Sequence, residues 1–532
     1  MSTLAGTGKL VRLILRRDRL LLALWILFLC LVLLSYPVSL REVFPTAAER
    51  QQYADNAAFI ALYGRLSGTS LGEFVAWRAG FVPVMVALIG LLTVIRHTRV
   101  EEETGRRELV AATVVGRHAG LAAALLVTFG ANLVLAALVA LCMLSQHLPA
   151  AGSLALGLEL AAAGFTFAAV GAVAAQLTTS AGGARGIAVG VLGAAWLLRV
   201  AGDASGQADG GLAWLSWLSP IDWVQRLRPY GGERWWLLVL AAGCTAALAA
   251  VAVALSARRD LGAGLLPARL GPGTAASGLR SPLALAWRLH RGLLAGWTAG
   301  FAALGAVFGA LTGGIGDLQR DNPTLQDIFA RLGGRAGLID TYLAAIMGIL
   351  GLIAAAYAIQ ATLRLRSEET GGRAEPVLAT AVGRLRWAGS HLAFSVLGPA
   401  AALITAGLAG GLIYGLDTGD VGHQLPRVLA GAIVQLPAVW VLAAIAVALF
   451  GLLPRLAPAT WGPLAVCLLL ALVGAAVQLD QRLLDLSPFT HVPKAPGAAV
   501  AAAPLVWLAA VAVALAAGGL VGLCRRDMPA TP

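Results

Sequence analysis

Residues 99–117 hold the densest charge in this chain: Glu101, Glu102 and Glu103, then Thr104 and Gly105, then Arg106 and Arg107. A loosened copy returns at residues 366–384 with Glu368, Glu369, Thr370, Gly371 and Arg373. Each copy directly follows one apolar stretch and directly precedes another. Carboxylates and guanidiniums around a glycine offer charge-assisted hydrogen bonds to a partner surface. The glutamates put acceptors at the foot of a long helix. Gly105 and Gly371 let the chain turn sharply. Arg106, Arg107 and Arg373 supply donors. The expected chemistry is docking, on exposed side chains whose replacement leaves the membrane fold intact. Helix capping with headgroup contact is the alternative role.

Other reactive constellations are missing from the sequence. There is no Gly-x-x-x-x-Gly-Lys-Ser/Thr phosphate loop, and the only lysines, Lys9 and Lys494, lie near the chain ends. No stretch is polar enough for a nucleotide-binding domain, so this chain alone does not use ATP. No nucleophile elbow or paired-carboxylate site stands out, and the expectation is a chain without a catalytic site. The seven histidines are scattered and form no metal pattern. Cys30, Cys142, Cys244, Cys467 and Cys524 sit in or beside apolar segments and suggest neither a metal site nor a disulfide framework.

The elements that must position the loops are membrane spans. The 532 residues are 59% hydrophobic and 12% charged, with a mean hydropathy of +0.80. A soluble domain carries about 25% charged residues. A bilayer core takes roughly 20 apolar residues per helix. On that measure residues 20–36, 76–95, 120–144, 153–177, 186–200 and 235–256 form six spans. Residues 292–315, 342–363, 391–416, 428–453, 461–479 and 498–523 form six more. The fold class is an all-α polytopic membrane protein with about twelve transmembrane helices. The 64 glycines suit close helix packing in lipid.

Arginine placement sets an expected orientation. Arg12, Arg16, Arg17 and Arg19 precede the first span, and Arg525 and Arg526 follow the last, so both termini are expected to be cytoplasmic. The net charge of +12 then reflects positive-inside topology and anionic headgroups rather than nucleic acid. Residues 8–19 and 280–291 suit interfacial amphipathic segments before each half. Six spans per half make the halves parallel repeats. Leu218–Ser219–Pro220 is echoed by Leu486–Ser487–Pro488, and Arg258–Arg259–Asp260 by Arg525–Arg526–Asp527. The expected division is a first half at 1–261 with loop 96–118, a flexible cytoplasmic linker at 262–281, and a second half at 282–532 with loop 364–390.

Within the spans, Asn132, Glu159, Gln176, Gln360, Gln435 and Gln478 are the polar candidates, and Glu159 is the one ionisable group among them. Phe81, Met85, Glu159, Phe167, Tyr357 and Trp440 are candidate cavity residues, although aromatic residues at helical spacing also serve as core. The tryptophans between Trp214 and Trp236 read as an interfacial belt, with an outer gate as the alternative.

On the repeated Arg-x-Glu-Glu-Glu-Thr-Gly-Arg-Arg loop, the basic segment before each half and the Leu-Ser-Pro before each last span, the chain resembles permease subunits of ABC-2-type exporters, with a type V exporter-like fold. It is most similar to the fused twelve-span permeases of actinobacterial polyketide-antibiotic exporters, the tetronasin-resistance type. The resemblance spans nearly the whole chain. It implies that the stretches Glu101 to Glu108 and Glu368 to Glu375 are coupling regions. It also implies two copies of a separate nucleotide-binding ATPase carrying ATP and Mg, a hydrophobic or amphipathic small-molecule cargo, and residence in the plasma membrane. The second copy departs from the first: Ser367 stands for Glu101, Gly372 for Arg106, and Pro376 is inserted.

Two other classes compete. A twelve-span ion-gradient transporter shares Gly105–Arg106–Arg107 with its loop signature, but Thr98 and Glu102 stand where that signature has Gly and Asp. A lipid-linked glycosyltransferase needs catalytic acids in a large outer loop, and Glu42, Glu49, Asp55 and Glu73 make no pair.

Overall fold

A computed structural model describes residues 2–54, 63–207, 211, 213–266, 273–320, 334–473, 480–498 and 500–527. Residues 474–479 of the expected eleventh span, with Gln478, lie outside these, as do Asp55 and residues 267–272 of the expected linker. The described residues contain no strand, and twelve of their helices are long and apolar enough to cross a membrane. The chain divides into two units, Met1–Gly271 and Pro272–Pro532.

In the first unit, α1 (Thr7–Val43) runs without a break from the basic segment 8–19 into the first span. The leucine-rich sequence offers no helix breaker before Pro37, so nothing turns the amphipathic start out of line. Helix α2 (Val82–Ile95) continues through a π-helical turn, Arg96–Val100, into Glu101–Glu103. A short helix, α3 (Arg106–Ala111), follows. Then come α4 (Ala119–Ser145), α5 (Ala150–Leu177), α6 (Ala181–Gln207), the short α7 (Pro220–Gln225) and α8 (Trp236–Ala257). Helix α5 is central: 78% of its apolar window is buried, against 22% for α8. It packs on α2, α4, α6 and α8. Its alanines and glycines permit this, since a Cβ on Gly157 would lie 2.3 Å from the Ala136 carbonyl of α4.

The second unit holds α9 (Pro282–Arg320), α10 (Gly334–Thr370), the short α11 (Ala374–Leu378), α12 (Arg384–Thr418), α13 (Val421–Ile433), α14 (Leu436–Leu452), α15 (Trp461–Val473) and α16 (Ala502–Arg525). The expected span 428–453 is α13 and α14 with a break between them. Pro437 has no N–H to give to the Ile433 carbonyl, which ends the first helix there. Helices α14 and α16 touch backbone to backbone: a Cβ on Gly451 would lie 1.8 Å from the Gly519 carbonyl oxygen. Apolar side chains of α10, α12, α13 and α14 form the core of this unit.

Candidate functional site

The charged loop of the first unit is folded inward. The π-helical turn adds one residue to the end of α2, and turns of this kind re-aim side chains at functional sites. Arg99 is fully buried there. Its Nε donates to the Ala175 carbonyl at the end of α5 at 3.0 Å, and its Nη2 to the Ala263 carbonyl at 2.7 Å. Its Nη1 donates to Glu102 at 2.9 Å. Glu102 is 8% exposed, which corrects the expectation that it faces solvent. It accepts two bonds from Arg259, just past α8, at 2.8 and 2.9 Å, and Arg107 lies 3.0 Å away. Arg259 also donates to Gln176 Oε1 at 2.7 Å. One carboxylate thus joins three guanidiniums from α2, the loop and the segment after α8. Burial draws the Arg107 guanidinium below its ordinary pKa, and Glu102 opposes that shift.

Neighbouring contacts extend the cluster. Arg17 of α1 lies 2.7 Å from Glu101, and buried Asp18 accepts from Arg96 at 2.9 Å and faces His97 at 2.6 Å. Arg117 Nη2 donates to the carbonyls of Ala257 and Arg259 at 2.9 and 3.0 Å, closing the C-terminus of α8. The start of the expected flexible linker is fastened too: Leu265 and Leu266 donate backbone N–H groups to Gln176 and Leu177 at the end of α5.

The second unit repeats the core of this arrangement. Glu369 accepts two 2.6 Å bonds from Arg526, and the partners are 157 residues apart, as Glu102 and Arg259 are. Arg384 Nη1 donates to the Cys524 and Arg526 carbonyls, matching Arg117. Glu368 lies 2.8 Å from Arg364 and 2.9 Å from Arg373. Glu368 and Glu369 are 5% and 7% exposed, again inward where exposed side chains were expected.

These pairs set the register of the repeat. Glu102 corresponds to Glu369, Glu101 to Glu368, Arg106 to Arg373 and Arg117 to Arg384, each 267 residues on. Gly105 takes a left-handed φ of +71° and Gly372 one of +68°. Gly372 is therefore the counterpart of Gly105, and Gly371, expected to make the turn, does not. Glu101 is matched by Glu368 rather than replaced by Ser367, and Pro376 occupies the place of Leu109 instead of being inserted. Arg107 has no second copy, because Ala374 stands there.

What remains for an outside partner is the lip of each loop. In the first unit Glu103, Thr104, Arg106, Glu108 and Leu109 are exposed, and Leu109 is 77% so. The Glu103 carboxylate also accepts from the first N–H of α6 at 2.9 Å. In the second unit Thr370, Gly371, Arg373, Glu375 and Pro376 are exposed. The clamp residues Arg99, Arg259 and Arg526 were not singled out as site residues from sequence. Their signal is an arginine kept at one offset in both halves, 259 and 526, while most of the surrounding side chains differ.

A family model described as "Multidrug efflux system permease Rv1217c, C-terminal domain" matches residues 8–256 and 279–523, one stretch in each unit. The multidrug efflux system permease protein Rv1217c of Mycobacterium tuberculosis (strain ATCC 25618 / H37Rv) is 46% identical over 532 residues, covering 99% of this chain and 96% of that protein. The chain belongs to this permease family. With its twelve apolar helices, it is a multi-pass membrane permease.

The candidate cavity residues of the permease fall in different places. Phe167 is fully buried in the core of α2, α5 and α6, and Tyr357 is fully buried on α10 beside Trp297. Trp440 packs on the cores of the second unit and donates to the Val396 carbonyl at 3.2 Å. Phe81 meets Trp196 edge-on, and Met85 is 37% exposed on α2. Of the six, Glu159 lines a described cavity.

Proposed function

We propose that this permease is the membrane subunit of an ATP-driven exporter of the ABC-2 type, resembling the fused tetronasin-resistance permeases. Two copies of a separate ATPase, which carries ATP and Mg, dock on the lips of the two loops at the cytoplasmic face. The cargo is a hydrophobic or amphipathic small molecule, moved outward by alternating access, and ATP bound at the partner biases the two states. Both termini are cytoplasmic, and each half supplies one docking site.

The observation that carries this reading is the repeated glutamate–arginine clamp. A loop joined by buried, bidentate ion pairs to the far end of its own unit does not bend when pushed; it passes displacement into α2, α5 and α8, or into α10 and α16. The buried glutamates therefore transmit, and the exposed lip docks. The two sites are unequal, because the first has three guanidiniums on its carboxylate and the second has one.

The test is co-purification of the chain with its ATPase from membranes in mild detergent. Leu109→Asp and Pro376→Asp change the lip without touching a clamp. Each single variant is expected to lose about half of the bound ATPase, and the double variant nearly all of it. Full ATPase recovery with the double variant, or transport on an ion gradient without any ATPase, overturns the reading.

A further inference from the structure

The first unit has a second built polar site, at the opposite end of α5 from the loop. Glu159 precedes Gln176 by seventeen residues, or roughly 25 Å at 1.5 Å per residue. It lines a cavity of about 470 Å³ walled by Tyr63, Trp77, Trp214 and Trp217. The other acids here have guanidinium partners. Arg199, fully buried, lies 3.0 Å from Asp203. Asp222 pairs with Arg226, whose guanidinium sits 4.7 Å from the Trp217 ring centre and donates to Ser216 at 2.8 Å. Trp77 is held by a 2.7 Å bond from its indole N–H to the Gly64 carbonyl.

Glu159 is different. It is 3% exposed and carries no hydrogen bond or ion pair among the described residues. An ionisable side chain inside a span is costly and usually marks a ligand or ion path. Burial raises the neighbouring Asp222 carboxyl to about 6 in spite of Arg226 beside it, so ionic contacts in this cavity are weakly screened. Arg226 is engaged by Asp222, Arg65 donates to the Asp203 carbonyl at 3.2 Å, and Arg228 is exposed to solvent. An anion that went deeper would meet Glu159. Tyrosine and tryptophan side chains beside one unpaired carboxyl group give an apolar wall for the body of a cation.

We propose that this cavity binds an organic cation, a protonated amine or quaternary centre on an aromatic or aliphatic body, with Glu159, which gives up its proton to solvent as the cation enters, as its counter-charge and the tryptophan rings as its walls. The position 267 residues on from Glu159 is Pro426, so the repeat does not carry this carboxyl group into the second half. The proposal rests on the efflux reading only in calling the ligand a cargo. Binding to the purified chain is measured without ATPase or transport, so the two can fail separately.

The test titrates the purified full-length chain in detergent with tetraphenylphosphonium, and with tetraphenylborate, which has the same shape and the opposite charge. Blank micelles are subtracted. Saturable binding of the cation is expected, at least tenfold tighter than the anion. Glu159→Gln is expected to weaken the cation at least tenfold and remove the charge preference. Trp217→Leu is expected to weaken the cation and keep the preference. If Glu159→Gln does not give a monodisperse protein, Glu159→Asp replaces it and is expected to keep the preference at reduced affinity. Unchanged cation binding in Glu159→Gln, no preference in Glu159→Asp, or equal binding of the two probes by the natural chain overturns the proposal.

Discussion

Replacing Glu102 with Gln keeps the shape of the side chain and removes its charge. The carboxylate is surrounded by Arg99, Arg107 and Arg259 at 2.8 to 3.0 Å. Breaking a buried ion pair by neutralising one partner costs about 3–5 kcal/mol. The lower end applies here, because Arg99 keeps the Ala175 and Ala263 carbonyls and Arg259 keeps Gln176. A local destabilisation of about 3 kcal/mol raises the open population of the loop roughly 10²-fold, at 1.4 kcal/mol per decade. Trypsin reports that population, since Arg106 and Arg107 lie in the loop and cleavage follows the opened form when reclosing is fast. The assay is the initial rate of cleavage between residues 104 and 117 in nanodiscs, with fragments identified by mass. Glu108→Gln, an exposed change in the same loop, is the control and should stay within about 0.5 kcal/mol, or roughly twofold. Cleavage of Glu102→Gln at no more than the control rate would refute the clamp.

Three further outcomes follow from the same geometry. Gly372→Ala forces an L side chain into φ +68° and should cost about 1 kcal/mol, whereas Gly383→Ala, at φ −70° with nothing within 4 Å of the added Cβ, has no such penalty; cleavage rates of the second loop distinguish them. Gly451→Val drives a side chain into the Gly519 backbone of α16 and should lower the detergent melting temperature of the permease by several degrees, while Gly462→Val, with nothing within 4 Å, should not. Asp222 has its folded pKa raised from 3.8 to about 6, chiefly by burial. The native state therefore binds the proton more tightly, and stability should rise as pH falls from about 6 toward 4, the burial penalty being fully present above about 6. Thermal melting against pH should lose that component in Asp222→Asn.

The twelve spans were legible because apolar length is a local property of the chain. The doubled loops were legible because charge is rare here, and the family resemblance followed from both. The direction of the loop side chains was not. Residues next to each other on a helix point 100° apart, so a slip of one residue changes which glutamate faces inward. The turn expected at Gly371 falls at Gly372. The π-helical turn before Glu101 compounds it, since composition does not announce an extra residue per turn.

The sequence by itself determined the membrane class, the twofold repeat and the residue types available at each loop, all set by composition and order. Tertiary structure alone decided that Glu102 and Glu369 meet arginines 157 residues away. It alone left Glu159 without a partner among the described residues, in a cavity lined by aromatic side chains, while Asp203 and Asp222 found theirs. The physical reason is that an ion pair depends on which helix ends converge, and in lipid that is settled by small-residue packing between helices, which no single segment encodes.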